Sequence, residues 1–187
     1  MENEIKKTIE VLRAGGTILY PTDTIWGLGC DATRQDAVEK ICLIKNRPDS
    51  KSFIILVSDE RMLQKYVYDV PAIARDLIGQ SASPLTIIYD TGINLAPAVL
   101  GENGSVAVRI PADEFCGRLI HQFGRPVVST SANRSGEPAP ASFRDIHPDI
   151  VRSVDHVVNW RQAEQKQARP SSIIKLGANG EIKIIRK

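Results

Sequence analysis

Several polar segments of this 187-residue chain carry side chains whose types and spacing could do chemistry. Lys45, Arg47 and Lys51 place three cations within seven residues, at the end of an expected helix that Pro48 terminates. A lysine point charge and an arginine fork are the usual pair for gripping phosphates. Cations also suit a helix C-terminus, where they compensate the macrodipole, and composition leaves the two readings even. The run Ser129-Thr130-Ser131-Ala132-Asn133-Arg134-Ser135-Gly136 packs hydroxyls, an amide and a guanidinium behind a strand. Such a loop can bind phosphate oxygens through side chains and backbone N–H groups. On composition alone it is a solvent-facing turn. Tyr20–Gly29 offers the hydroxyls of Thr22 and Thr24 to a small polar ligand, and on composition alone it too is a turn. Arg169-Pro170-Ser171-Ser172 precedes a strand, and Ser105 and Arg109 complete the set. Arg109 interrupts the apolar run Val106–Ile110, so if buried it needs a partner, either a protein carboxylate or an anionic ligand.

Other chemistries find no support. The chain contains no GxGxxG, no GxxxxGK[ST] and no GxSxG, so neither a dinucleotide turn, a P-loop nor a nucleophile elbow is indicated. His121, His147 and His156 lack metal-like spacing. Cys30, Cys42 and Cys116 are scattered without a CxxC, which excludes a disulfide framework and a zinc knuckle and fits a reducing, cytoplasmic setting. The N-terminus has charges of both signs and no apolar core, so no signal peptide is expected. The longest aliphatic or aromatic run, Phe53–Val57, is too short to span a membrane.

The elements that must position these groups follow from periodicity. Ile5, Ile9 and Leu12 predict a helix over 2–14, stopped by Gly15-Gly16. Thr33 and Asp36 mark the start of a second helix, with Val38, Ile41 and Cys42 on its apolar face. Pro71 opens a third and residues 113–123 form a fourth. Strands are expected at 17–20, 53–57, 85–89, 105–110, 126–129, 156–160, 173–176 and 182–186, with loops over 21–29 and 130–142. Helices and strands alternate irregularly, which predicts a single α/β domain around a mixed sheet.

Hydrophobic residues at 42% and charged residues at 25% are ordinary for a globular domain. The formal charge of +2 argues against a dedicated DNA binder. It hides an uneven distribution: residues 1–160 carry −3 and residues 161–187 carry +5. A solvated tail is the plain reading of that excess, and a surface facing an anion is the sharper one.

Taken in order, the motifs YPTDTxxGLG, KxRP, VAVRIP, STSANxSG and a late Pro-Ser before a strand resemble the YrdC-domain family, whose members make threonylcarbamoyl-AMP. The resemblance runs from about Gly16 to Arg186 and looks like the short bacterial form, one catalytic domain over 1–187. It implies a twisted mixed β-sheet flanked by helices, with a deep, positively lined cavity. It implies L-threonine, bicarbonate or CO2, and ATP with Mg2+ as reactants, giving threonylcarbamoyl-adenylate and pyrophosphate. It also implies a partner transferase complex that moves the threonylcarbamoyl group to adenosine 37 of tRNA, with no part for DNA or membrane. Lys45, Arg47, Ser131 and Asn133 match the nucleotide and phosphate grip and would be catalytic. Lys51, Ser105 and Arg186 resemble further ATP contacts, while Thr24, Arg109, Ser129 and Ser171 resemble the threonine-binding set.

The sequence departs from the family pattern at Trp26, where a Tyr is usual, and at Ser52 and Leu56, where a Pro and in some members a His stand. Gln80–Thr86 replaces the usual Pro-Gly-Pro. Two other readings compete: an RNA-binding module of the same fold without the enzyme activity, motivated by the +5 end, and a carbamoyl-transfer domain related to hydrogenase maturation.

Overall fold

The computed structural model describes residues 1–46, 53–101, 103–164 and 169–187. Helix α1 (Glu2–Arg13) buries Ile5, Thr8, Ile9 and Leu12 on one stripe. Gly15 ends its exit turn at φ +76°, a conformation that favours glycine. Strand β1 (Ile18–Tyr20) is wholly buried. The next strand, β2 (Gly27–Gly29), lies inside the segment expected to be loop. Its glycines hide it from a sequence reading, since glycine is poor in strands. They are there for close approach: a Cβ on Gly29 would stand 2.7 Å from the Val128 carbonyl and 2.7 Å from the Tyr20 ring.

Helix α2 (Gln35–Lys45) starts after Arg34 rather than at Thr33. The Thr33 hydroxyl instead donates to Asp31, 2.7 Å away. Fully buried Asp31 also pairs with Arg125 at 2.9 Å. Asn46 closes α2 in the left-handed conformation. Strand β3 (Ile54–Leu56) follows, then α3 (Glu60–Tyr66) and α4 (Ile73–Gln80). The short α3 is set by its cap more than by periodicity: the Asp59 carboxylate accepts the Met62 N–H at 2.9 Å.

Strand β4 (Leu85–Tyr89) precedes β5 (Val106–Arg109), which is shorter than the expected 105–110. Helix α5 (Glu114–Phe123) is capped by Asp113 and ends at Gly124 with φ +78°. Strand β6 (Val127–Ser131) runs two residues past its expected end, because β2 offers Gly27 and Leu28 as partners for Ser131 and Thr130. A further helix, α6 (Pro148–Ser153), occupies a stretch expected to turn. Pro148 suits its first turn, and His147 caps it by accepting the Asp149 N–H on Nδ1. Strand β7 (His156–Val157) is a short edge; β8 (Ser172–Leu176) and β9 (Ile182–Arg186) close the chain.

Among the described residues the strands form one nine-stranded sheet in the order β7-β1-β2-β6-β3-β5-β4-β8-β9. Pairs β1/β7, β3/β5 and β4/β8 are parallel and the others antiparallel, so the sheet is mixed as expected. Leu56, where relatives can carry a His, is fully buried core. Trp26 is buried against Phe143, with ring centroids 4.8 Å apart and planes tilted by 50°. No helix among the described residues is long and apolar enough to cross a membrane.

Candidate functional site

The middle of the sheet forms the floor of a cavity of about 340 Å³. Register explains the floor. Ser129 pairs with Ile54, Ile54 with Ala107 and Ala107 with Ile88, so four strands place one residue each in a single row. Strand alternation then brings Arg109 and Ser131, two residues further on, to the same face. Thr24 and Ile25 from the loop before β2, and Pro170 and Ser171 before β8, form part of the rim. Arg186 of β9 completes the wall.

Arg109 is 4% exposed. Its Nη1 donates to the Thr24 hydroxyl at 3.0 Å. Its Nη2 lies 3.3 Å from Oδ1 of Asp23, a carboxylate itself only 8% exposed. The loop that presents Thr24 is tied to itself. Thr22 Oγ1 accepts the Thr24 N–H at 3.0 Å, lies 2.9 Å from the Thr24 hydroxyl and donates to the Ile25 carbonyl at 2.8 Å. This is the local Asx/Ser-Thr bonding expected of a turn, and here it fixes a hydroxyl at the cavity rim.

At the far side Arg186 donates Nε and Nη2 to the Ser171 carbonyl, at 2.9 and 2.8 Å. The Ser171 hydroxyl shares a buried 2.8 Å hydrogen bond with Thr86. Burial holds the Arg186 guanidinium below its ordinary pKa, and the charge of Arg109 adds to the effect. The two cations therefore feel each other across the cavity. They are the only charged side chains on its wall among the described residues. Such a wall attracts an anion.

The structure thus brings Thr24, Arg109, Ser129, Ser131, Ser171 and Arg186 to one cavity. Lys45 is placed differently. It is 2% exposed and stands behind the wall, donating Nζ to the carbonyls of Ser131 at 2.5 Å and Asn133 at 2.7 Å. The Ser135 N–H returns a bond to the Lys45 carbonyl at 2.8 Å. Lys45 therefore clasps the loop that follows β6. Asn133 turns its Nδ2 to the Arg134 and Glu137 carbonyls at 2.9 and 2.8 Å, and its Oδ1 is buried without a hydrogen-bond partner among the described residues. Ser105, expected on a strand beside the nucleotide, lies before β5 and off the cavity wall, where its carbonyl accepts the Gly101 N–H at 2.8 Å. Arg47 and Lys51 lie outside the described residues.

Sequence reasoning passes over Asp23, Thr86 and the apolar floor. Asp23 sits inside the YPTDT motif, which is the one signal that could have raised it. A second chamber of about 290 Å³ shares Thr24 and Ile25 with the first, and Asp23, Trp26, Asp113 and Arg161 line it. Arg161 is locked there by Asp113 at 2.5 Å and Glu164 at 2.8 Å.

Among the described residues no side chain on the cavity wall is a ready nucleophile. All three cysteines are buried away from it, and burial pushes the Cys30 and Cys116 thiols well up. Among the described residues no group of three His, Cys, Asp or Glu could hold a metal ion. Among the described residues the wall carries no carboxylate, so it fits a metal only as a companion of bound phosphates.

Comparison with known proteins gives a consistent picture. The Sua5/YciO/YrdC family model, described as "Telomere recombination", matches residues 10–187. The threonylcarbamoyl-AMP synthase of Stenotrophomonas maltophilia is 34% identical over 172 residues, covering 90% of this chain and 92% of the relative. The crystal structure of P. abyssi Sua5 complexed with L-threonine superposes with a TM-score of 0.84 at 28% identity, over 94% of this chain and 52% of that one. This chain therefore matches about half the length of that structure. E. coli YciO has the same fold, with a TM-score of 0.85 at 24% identity over 100% of this chain and 90% of its own.

Proposed function

The chain belongs to the Sua5/YciO/YrdC family, and on that premise we propose that it is a threonylcarbamoyl-AMP synthase, acting as a nucleotidyltransferase on ATP. The observation that carries this reading is the presence of both Arg109 and Arg186 on one hydroxyl-lined wall that has no acidic residue among the described ones. L-Threonine presents a carboxylate and ATP a polyphosphate, and the wall offers one guanidinium toward each.

The chemistry follows from positioning. Threonine docks its carboxylate on Arg109, with Thr24, Ser129 and Ser171 as the polar groups around it. Its neutral amine adds to CO2, forming an N–C bond and releasing a proton; with bicarbonate the same step releases water. A carbamate oxygen then attacks the α-phosphorus of ATP, and the bond to the β-phosphate oxygen breaks as pyrophosphate leaves. Arg186 and the Ser131 hydroxyl face the charge that builds on the phosphates. Mg2+ enters with ATP as part of the substrate. Lys45 and Asn133 act one layer back by shaping the loop after β6. No covalent enzyme intermediate is needed, so the protein contributes orientation and preorganised dipoles.

The product is a mixed anhydride, which suits it to hand its threonylcarbamoyl group to a nucleophile. On the family reading that acceptor is adenosine 37 of tRNA, served by a partner transferase. Nothing in the comparisons favours an RNA-binding module without the activity. The test is pyrophosphate release from ATP by the purified protein, with and without L-threonine and bicarbonate. Release that needs threonine is the expected result, and threonine-independent release alone refutes the reading.

A further inference from the structure

We propose that Asp23 sorts the two anionic substrates within the cavity. It is a resident counter-ion that reserves the Arg109 end for a single carboxylate and leaves the polyphosphate to Arg186. The inference rests on the threonylcarbamoyl-AMP reading and adds the physical basis for where each substrate goes.

The two guanidiniums on the wall are not equivalent. Arg109 has a carboxylate 3.3 Å from its Nη2. Arg186 has only the neutral carbonyl of Ser171, and no ion pair engages it among the described residues. One end of the cavity is therefore close to neutral and the other carries a full positive charge. Arg109 is shielded from water while Arg186 is exposed, so salt screens the Arg186 end more than the Arg109 end.

The donor geometry at Arg109 makes the distinction sharper. Nη1 is committed to the Thr24 hydroxyl at 3.0 Å. Nε is buried and has no hydrogen-bond partner among the described residues. Oδ1 of Asp23 also has no hydrogen-bond partner among the described residues, so its approach to Nη2 neutralises charge without consuming the donors. In this assignment the Nε–Nη2 edge, where Nε is buried and uncommitted among the described residues, turns toward one carboxylate and receives it in bidentate fashion. Asp23 does not compete for the cavity. It lines the adjoining chamber, and its other oxygen accepts the Ala112 N–H at 3.3 Å. A carboxylate gains two hydrogen bonds at this edge at little electrostatic cost. A polyphosphate needs net positive charge as well, and among the described residues of the wall it finds that at Arg186.

Calorimetric titration with inorganic pyrophosphate and with L-threonine separately, then in competition, reads the sorting. In the wild type the two ligands should bind without displacing one another. Asp23→Asn keeps the shape and removes the charge. It should raise pyrophosphate affinity roughly tenfold, the effect of one unit charge about 10 Å away at an effective dielectric of about 20. Pyrophosphate should then displace threonine, and Asp23→Glu should restore wild-type behaviour. Arg186→Met provides a second route should Asp23→Asn not fold. It should cost pyrophosphate at least about tenfold in affinity while threonine affinity stays within about twofold. A folded Asp23→Asn protein with wild-type pyrophosphate affinity overturns the proposal, as does undiminished pyrophosphate binding in Arg186→Met. A wild-type protein that binds pyrophosphate but not threonine refutes the functional reading instead, and the pyrophosphate response of Asp23→Asn still decides the role of the charge.

Discussion

Replacing Lys45 with Met should lower stability first and activity as a consequence. Met keeps most of the stem volume and removes the ammonium. The Nζ of Lys45 satisfies two carbonyls, of Ser131 and Asn133, at 2.5 and 2.7 Å in a site only 2% exposed. Each carbonyl left unpaired costs about 1–3 kcal/mol. Part of that is offset because an ammonium no longer has to be desolvated. A net loss of roughly 2–3 kcal/mol remains on this reasoning. For a domain of this size, about 2–4 °C of melting temperature is lost per kcal/mol. The expected fall is therefore roughly 4–12 °C, seen by scanning calorimetry without ligand. ATP affinity, measured by titration at a temperature where the variant is folded, should weaken because the loop after β6 loses its clasp. A Lys45→Met protein that melts within about 1 °C of the wild type yet no longer binds ATP refutes the reasoning, for it would mean that Nζ faces the ligand.

Two further outcomes test the scaffold. Gly29→Ala should destabilise by about 1–3 kcal/mol, because its Cβ would meet the Val128 carbonyl and the Tyr20 ring, each 2.7 Å away; urea unfolding checks this, and a tolerated substitution would contradict the close packing of β2. The Asp59 carboxyl is held below its ordinary pKa by the Met62 N–H and the Ser58 hydroxyl, so its stabilisation is complete above the unfolded value near 3.9 and fades as pH falls through the lower folded value. Asp59→Asn, which still caps α3, should flatten the stability profile below about pH 4 and leave it unchanged between about pH 5 and 7; an unchanged acid slope in urea unfolding at each pH counts against this.

Where burial follows a local period, the sequence was legible. The limits of α1 and α5 came out within a residue or two, and β4 and β9 ran as expected, since side-chain pattern alone decides them. The misses share another cause. Strand β2 exists because two glycines let neighbouring strands approach, and β6 is extended because β2 is there to pair with it. Helices α3 and α6 are too short for a period to declare them and depend on caps at Asp59 and His147. The site divides in the same way. The motifs marked Arg109, Thr24, Ser131, Ser171 and Arg186, and all five share one cavity. A motif names a residue without saying which way it points, so the turning of Lys45 toward loop carbonyls and the displacement of Ser105 from the wall emerged only with the fold. Asp23 was passed over because its importance lies in its distance from Arg109, 86 residues away in the chain.

The floor row of Ser129, Ile54, Ala107 and Ile88 has a kinetic meaning. Only β4 and β5 among its neighbouring strands are consecutive in the chain; β3 and β6 reach it from distant parts of the sequence. The β4–β5 pair can assemble half of it, but the β3 pairings with β5 and β6 are non-local, and such pairings are the slow ones to form. The capacity to hold an anion is therefore a property acquired late, when the central strands have found their order. A ligand that binds only then draws the population toward the finished sheet and away from partly paired forms. For this chain, substrate occupancy doubles as a report that folding has been completed.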